Sequence, residues 1–284
     1  MVLFMTPGLV FFYGGLVRRK NVLNTMMASF FTMGLSTAMW VLFGYSLSFS
    51  GNIGGIIGDF SWIGLNNVGG EPGPYADTIP HLLFALFQMM FAIITPALLT
   101  GAIAGRMRFK ELFAFIAMWL LVVYYPLAHM VWGKGGILGL VAITPGAGFV
   151  PIWASIIIGI FVSPICYFTM SVVKKHFGYD DALDAFGCHG VGGIWGGIAT
   201  GLFAKTSINP VARWDGLIFG DTQLFVAQIV SIIITIAIAV VGTYICATLV
   251  KLFTPLRVSD YDERVGLDIS QHGESAYPSF NGLD

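Results

Sequence analysis

Long apolar stretches separated by short polar segments make up most of the chain. A helix needs about 20 apolar residues to cross the hydrocarbon core of a membrane, and the pattern predicts seven such helices. They cover residues 1–17, 21–49, 79–105, 112–132, 151–173, 185–204 and 224–253. The first is short, as if its N-terminal turns were missing. Residues 137–150 are apolar but too short, and Pro145 and several glycines interrupt them, so they are not counted as a crossing.

Basic residues follow every second predicted helix and set its orientation. They lie at residues 18–20, 106–110, 174–176 and 251–257. Because Lys and Arg concentrate in the cytosolic loops of membrane proteins, the N-terminus is predicted outside and the C-terminus in the cytosol. The fold prediction is therefore an all-α polytopic transmembrane bundle of about seven spans within residues 1–254.

A polar tail at residues 255–284 forms a second predicted region. Pro255 stops the last helix, and the residues after it are mostly polar and charged. We expect this tail to lie on the cytosolic face or to remain partly disordered.

Composition supports a lipid environment and excludes several functions. Hydrophobic residues make up 56% of the chain and charged residues 10%, and the mean hydropathy is +0.82, whereas soluble domains carry about 25% charged residues. The net charge of −1 gives no sign of nucleic-acid binding. No phosphate-binding loop, HExxH metal motif or Gly-x-Ser-x-Gly motif is present. The sequence thus predicts neither an enzyme nor a nucleotide-driven pump, and no cofactor.

Three cysteines, Cys166, Cys188 and Cys246, all lie within hydrophobic stretches. Their spacing matches neither a metal-binding motif nor a disulfide framework. We therefore expect them to act as small apolar packing residues, and the sequence predicts no metal site.

His189 is the most informative polar residue within a predicted span, because ionisable groups in hydrocarbon are costly and often functional. It lies in a glycine-rich run against which neighbouring helices can pack closely. A neutral imidazole there donates with one ring nitrogen and accepts with the other, which suits a pore wall for a small polar solute. The alternative is a structural histidine bonded to a neighbouring helix.

Four further residues have both a structural and a functional interpretation. Trp132, one turn beyond His129, fits the interfacial aromatic belt or a cation–π site at a pore mouth. Phe87 and Phe91 lie one turn apart on the third span, where packing is the commoner role of aromatic side chains. Asp184 precedes the sixth span, where an acidic residue caps a helix N-terminus and favours its dipole.

Five sequence motifs together resemble one known family. They are PGLVFFYGGLVRRKNVL at residues 7–23, GAIAGRMRF at 101–109, PLAHMVWG at 126–133, DALDAFGCHGVGG at 181–193 and RVGLDISQHGE at 264–274. In this order they resemble the first, third, fourth and tenth helices and the cytosolic tail of ammonium transporters, the Amt/Mep/Rh family.

The resemblance implies that the chain is internally shortened. Family members have eleven transmembrane helices, and this chain passes near residues 136–140 from the end of the fourth directly into the last part of the eighth. Helices five to seven and most of helix eight have no counterpart, and neither does the family's first pore histidine. Losing an even number of crossings preserves the orientation that the basic loops predict.

The resemblance also implies a function, a set of site residues and partners. Ammonium would be bound outside by Trp132 and Phe91 and lose a proton, and ammonia would pass His189; Asp184 resembles the aspartate near the cytosolic end of helix ten, and Phe12 and Tyr13 belong to the first-helix motif and are assigned to the pore. Expected partners are the lipid bilayer of the plasma or inner membrane, two further copies in a homotrimer, and a nitrogen-regulatory protein of the PII type at the tail.

The missing first histidine favours an alternative, in which the chain is a non-conducting family member that acts as a structural or interaction partner. Two structural expectations accompany the transport hypothesis. His189 should face the interior of the bundle. The third and sixth spans should contact each other, so that Phe91 and His189 line one cavity.

Overall fold

The computed structural model describes residues 2–139, 148–209 and 212–277. Each of the seven predicted apolar segments contains helix in the described residues. The α-helices are α1 Met5–Leu16, α2 Val22–Met39, α3 Tyr45–Phe49, α4 His81–Ala102, α5 Phe109–Trp119, α6 Tyr125–Trp132, α7 Ile152–Phe168, α8 Lys174–Phe177, α9 Val191–Phe203, α10 Gln223–Lys251 and α11 Asp260–Val265. Residue 140, the last of the predicted junction at residues 136–140, lies outside the described residues.

Single π-helical turns occur within the apolar helices. They are Trp40–Gly44 between α2 and α3, Leu120–Tyr124 between α5 and α6, Thr169–Val173 between α7 and α8, and Phe186–Gly190 before α9. Because the helix continues through such a turn, α2 and α3 form one helix and α5 and α6 another. A π turn shifts the side-chain register locally, and such turns are frequent at functional sites.

Five helices in the described residues are long and apolar enough to span a membrane, which makes the chain a multi-pass membrane protein. They are Arg19–Phe49, His81–Ala102, Phe109–Trp132, Ile152–Phe177 and Gln223–Lys251. The first predicted span forms a shorter apolar helix, Val2–Leu16. The sixth is helical but less apolar, because seven glycines and His189 between residues 186 and 203 lower its hydropathy.

A small β-hairpin lies in the loop between α3 and α4. Strand β1, Pro72–Gly73, pairs antiparallel with β2, Ala76–Pro80. The hydrophobic pattern does not predict this hairpin, because its strands are short and rich in Gly and Pro, residues that are depleted in strands.

The main core lies among α2 to α6. Trp40, Tyr45 and Tyr125 are all at most 1% exposed there. The Trp40 ring centroid lies 5.7 Å from that of Tyr45 and 6.0 Å from that of Tyr125, and the Trp40 indole N–H donates to the Ala85 carbonyl at 3.1 Å. These contacts join the π turn Trp40–Gly44 to α3, α4 and α6.

The cytosolic tail returns to the bundle as far as residue 277 is described. The buried Asp268 carboxylate accepts from the backbone N–H groups of Leu23 at 3.0 Å and Asn24 at 2.8 Å. These are among the first N–H groups of α2, which have no partner within the helix. The Leu267 N–H donates to Asn21 Oδ1 at 2.9 Å. The tail therefore packs against the start of α2, and that this face is cytosolic stays a prediction; residues 278–284 are outside the described residues.

Candidate pore site

Tyr13 and His189 bring three apolar helices together. The Tyr13 hydroxyl lies 3.4 Å from His189 Nε2 and donates to the Leu98 carbonyl of α4 at 3.2 Å. Tyr13 belongs to α1 and is 1% exposed, whereas His189 lies in the π turn before α9. The buried hydroxyl thus links the first, third and sixth apolar helices.

Gly101 makes room for the Tyr13 ring. A Cβ atom at Gly101 would lie 2.5 Å from Tyr13 Cζ, closer than real Cβ contacts allow. The glycine therefore lets α1 and α4 approach each other, as small residues do at helix contacts in membranes. Any larger residue at this position would displace the hydroxyl from His189.

His189 contacts Tyr13 on one side, and the residue as a whole is exposed in this chain. Its neighbours Phe186 and Cys188 in the same π turn are exposed as well. The face of the sixth apolar helix that carries these three residues therefore has open surface. A polar ring exposed to hydrocarbon is costly, which indicates that this face meets water or another protein segment.

Asp181, rather than Asp184, is the buried carboxylate before the sixth apolar helix. Asp181 is 3% exposed, and its two oxygens accept from the N–H groups of Ala185 at 3.0 Å and Phe186 at 2.8 Å. This is the capping role that the sequence predicts for acidic residues at this helix start. The residue type alone could not distinguish the two aspartates.

Asp184 instead pairs with Lys174, the first residue of α8. Its Oδ1 lies 2.6 Å from Lys174 Nζ, and the two side chains are 39% and 27% exposed. Lys174 also donates to the Asp181 carbonyl at 2.6 Å. Asp184 has φ +55°, the left-handed region that Asp adopts more readily than most residues. Lys174 therefore stabilises the turn between the fifth and sixth apolar helices.

The turn before the sixth apolar helix also contacts the cytosolic end of the third. The Ala182 N–H donates to the Ala102 carbonyl at 3.0 Å, and the Leu183 N–H donates to the Gly101 carbonyl at 3.2 Å. These are final carbonyls of α4, which lack partners within the helix. The two spans are therefore joined at this end, directly by these bonds and through Tyr13.

The contacts of Phe91 and Phe12 are with other aromatic rings. The half-buried Phe91 ring lies 5.2 Å from that of Phe87 in an edge-to-face arrangement. It is seven residues from Leu98, or about 10 Å along α4. Phe12 is 57% exposed, and its ring contacts that of Tyr13 at 5.9 Å. That Phe91 and His189 line one cavity stays a prediction, as does a pore role for Phe12.

Trp132 and His129 lie at the other end of the bundle, on α6. Trp132 is half-buried and packs against the main core. His129 is fully buried, with Nδ1 3.2 Å from the Ser48 carbonyl and Nε2 3.3 Å from Asn52 Oδ1. His129 thus fastens the end of α6 to the residues at the end of α3, and it holds in place the turn that carries Trp132.

Asp59 gives this outer end a stable negative charge. The Ser50 hydroxyl donates to its Oδ1 at 2.7 Å and the Ser61 N–H at 2.9 Å. These hydrogen bonds, the one from Ser50 foremost, lower the pKa of the Asp59 carboxyl below its ordinary value. The loop between α3 and α4 is therefore anionic at physiological pH near His129, on the predicted outer side.

Neither end offers an acidic or histidine-rich metal site. Within residues 2–139, 148–209 and 212–277, no group of three or more His, Cys, Asp or Glu side chains could hold a metal ion. What the site can offer a small solute is aromatic surface at Phe91 and Trp132 and hydrogen bonding at His189.

Comparison with known proteins gives one consistent result. The chain matches the family model described as Ammonium Transporter Family in two pieces, residues 1–139 and 137–277. The ammonium transporter of Bacillus subtilis (strain 168) is 38% identical over 389 residues, covering 98% of this chain and 96% of that protein. Ammonium transporter Amt1 of Archaeoglobus fulgidus is 31% identical over 390 residues, with 98% and 96% covered.

These alignments are longer than the chain, which has 284 residues. The relatives therefore contain a long internal stretch with no counterpart here, and the two pieces of the family match meet at residues 137–139.

Solved structures share the fold. Saccharomyces cerevisiae Mep2 superposes with a TM-score of 0.81 at 24% identity, covering 92% of this chain and 85% of that one. A structure described as a sensor Amt protein superposes with a TM-score of 0.81 at 17% identity, with 95% of each chain covered. At these identities the likeness concerns the helical architecture alone.

Proposed function

The chain belongs to the ammonium transporter family, and from this membership we propose that it serves ammonium or ammonia transport across a membrane by a channel-like route. The substrate class is inferred from the family relatives. The route through this chain is inferred from the contact between Tyr13 and His189, which places an imidazole and a buried hydroxyl between three apolar helices.

The outer end recruits the cation on this proposal. The faces of aromatic rings attract cations, and Trp132 and Phe91 supply such rings on α6 and α4. An ammonium ion cannot enter an apolar path without a large cost, so it releases its proton before it passes inward as ammonia.

The tautomer of His189 then determines how its ring binds the neutral solute. Because the Tyr13 hydroxyl donates to the Leu98 carbonyl, its oxygen is left to accept from His189 Nε2. With Nε2 carrying the proton, a neutral imidazole keeps Nδ1 as an acceptor. Ammonia, which has three N–H groups, can donate to that nitrogen as it passes.

A second candidate function is a non-conducting partner of other membrane segments. The exposed surface of His189 favours it, because the described residues of the chain leave this polar side chain partly uncovered. On this reading the chain associates with segments that cover the exposed face. The transport proposal and this alternative predict opposite results in cells that make only this chain.

Uptake of labelled methylammonium by a transporter-deficient cell separates the two. The chain alone should give measurable uptake that is lower than that of a full-length relative, His189→Ala should abolish it, and Tyr13→Phe should reduce it severalfold. Tyr13→Phe keeps the ring that packs on Gly101 and removes only the hydroxyl. Leu217→Ala, in a short exposed turn, serves as the control variant, and a tag at Asp284 checks insertion.

Absence of uptake from a well-inserted chain would reject transport by this chain and favour the partner role. Uptake that His189→Ala leaves unchanged would reject the route while keeping the substrate.

Assembly, location and regulation follow the family on this proposal. We place the chain in the plasma or inner membrane as a homotrimer, with a PII-type regulatory protein at the docked tail. Native mass spectrometry in detergent tests the trimer. Binding of a PII protein to the chain, with and without residues 259–284, tests the tail.

A further inference from the structure

Two sulfur atoms, of Met170 and Cys188, are in contact between the helix Ile152–Phe177 and the π turn before α9, and Cys166 contacts the backbone of that turn. Cys166 and Met170 are four residues apart on one continuous helix, Ile152–Phe177, and therefore share a face. Cys188 faces them from the π turn Phe186–Gly190. Its Sγ lies 3.6 Å from Met170 Sδ, and Cys166 Sγ lies 3.8 Å from the Cys188 carbonyl oxygen.

Gly187 lets the two helices approach at this point. A Cβ atom at Gly187 would lie 2.6 Å from Met170 Cγ, so the methionine side chain occupies the space above that glycine. A Cβ atom at Gly192 would lie 3.5 Å from Cys166 Sγ, an ordinary van der Waals distance. Met170 and Cys188 both belong to π turns, a local geometry that often marks functional sites. The sulfur atoms are therefore held by the backbone of two packed helices.

The cluster is accessible and its thiols are free. Cys188 is exposed, and Cys166 and Met170 are half-buried, whereas Cys246 is buried on α10. Met170 is four residues from Lys174, in the basic loop that is predicted to face the cytosol. The cytosol keeps thiols reduced, so both cysteines are available as ligands.

The chemistry of the three groups selects a soft metal ion. Thiolate and thioether sulfurs favour Cu(I), while Zn²⁺ in structural sites takes four ligands from Cys, His and carboxylates. Two sulfurs 3.6 Å apart, each bonded at about 2.3 Å, subtend about 100° at the metal, and moving them apart by about 0.4 Å opens this to the 120° of a three-coordinate ion. We propose that Cys166, Met170 and Cys188 form a binding site for a soft monovalent metal ion of the Cu(I) class.

Binding needs only small movements and releases protons. The thiols of Cys166 and Cys188 each lose a proton as they coordinate the ion, while Met170 binds through a lone pair. Cys188 Sγ and Met170 Sδ are already 3.6 Å apart. Cys166 Sγ lies 3.8 Å from the Cys188 carbonyl oxygen and has to move away from that oxygen to bind the ion.

Competition for Cu(I) tests the site in the complete purified chain. The reduced protein in detergent is titrated anaerobically with Cu(I) in the presence of the coloured chelator bicinchoninate. The wild type should withdraw one Cu(I) per chain. Cys188→Ser, Cys166→Ser and Met170→Leu should each weaken binding by at least about tenfold, since loss of even an outer-shell partner of a metal ligand costs 10- to 100-fold in affinity. Cys246→Ser is the matched control and should bind as the wild type does.

A second measurement uses only the unaltered protein. X-ray absorption of the Cu(I) complex should show sulfur neighbours near 2.3 Å, and Ag(I) should protect Cys188 from maleimide in intact membranes.

Met170→Leu keeps both thiols and nearly the same volume, so its fold should persist. Failure of the wild type to compete, binding as tight as that of the wild type by Met170→Leu and Cys188→Ser, or a loss in Cys246→Ser as large as in those variants would each overturn the proposal.

Discussion

Two helices of nearly equal length have very different surroundings. In the most apolar part of Phe109–Trp132, a helix of 24 residues, 56% of the residues are buried, whereas in Ile152–Phe177, a helix of 26 residues, 6% are buried. The first lies between α2, α4 and α10. The second has α9 on one side, and Ile152, Ile156 and Ile160 are all at least 60% exposed. Length and hydropathy therefore do not tell which helix is central.

The difference follows from the stretch that the relatives have and this chain lacks. The residues before the junction at 137–139 form most of the main core. After the junction, α9 packs on α7 and on α10, and α10 also packs on α5, but wide apolar surface on α7 and α10 stays exposed. His189 lies at the boundary between the two regions. It is held by Tyr13 of the first region and is exposed toward the thinly packed second region.

Replacing a core aromatic should have the largest effect and separate the two regions. Tyr125→Ala removes a fully buried ring from the main core and should lower the free energy of unfolding by about 3–5 kcal/mol. Phe161→Ala, in the second region, removes a ring that is 52% exposed and should cost less than about 1 kcal/mol. Unfolding in mixed detergent, followed by circular dichroism, gives both values.

Tyr125→Phe is the control for the first prediction. The Tyr125 hydroxyl has no hydrogen-bond partner among the residues that the structure describes, so its removal should be nearly neutral. Equal losses for Tyr125→Ala and Phe161→Ala would show that the two regions are equally well packed in the membrane, with another chain covering the second.

The carboxylate of Asp268 should have the next largest effect, because it attaches the tail to the first region. Asp268→Ala leaves the N–H groups of Leu23 and Asn24 without their acceptor, at a cost of about 1–3 kcal/mol. The tail should then exchange amide hydrogen faster and be cut sooner by protease. Asp260→Asn, an exposed acid on α11, is the control and should change neither rate.

The helices and their ends could be predicted from the sequence, whereas the tail contact could not. Hydropathy fixes where a helix must satisfy its own backbone groups, which is why the seven segments are helical. It carries no information on which distant loop brings Asp268 to the first turn of α2. The contact of Tyr13 with His189 and the approach of Cys188 to Met170 likewise depend on which helix faces meet. The π turns change which residues share a helix face, and no residue pattern in the chain predicts these turns.

The tail should also respond to pH through His272. Its Nε2 lies 3.0 Å from Asn24 Oδ1, and its ring lies 4.5 Å from that of Phe109. Burial lowers the pKa of His272, and nearby Asp268 offsets part of this. Because the docked state binds the proton less readily than the free tail, docking is fully stable above the ordinary histidine pKa near 6.5 and weakens as pH falls below it.

Hydrogen exchange of residues 259–272 between pH 7.5 and 5.5 measures this response after correction for the intrinsic rate. His272→Gln should remove the pH dependence, while His176→Gln, at an exposed position on α8, should keep it. A tail that is released on raising the pH would contradict the sign of the shift.

The smallest effect is expected at the Lys174–Asp184 pair, in the thinly packed region. Both side chains are more than a quarter exposed, and ion pairs at such positions contribute about 0–1 kcal/mol. A double-mutant cycle of Lys174→Met and Asp184→Asn should therefore give a coupling energy below about 1 kcal/mol. Asp181→Asn, three residues earlier, should cost more than Asp184→Asn, because the Asp181 carboxylate is buried and accepts two backbone N–H groups. Unfolding of the four variants and the wild type measures these differences. A coupling of several kcal/mol would mean that the pair is shielded from water by something that covers this face, and the contrast between the two regions would then belong to the isolated chain rather than to the protein in its membrane.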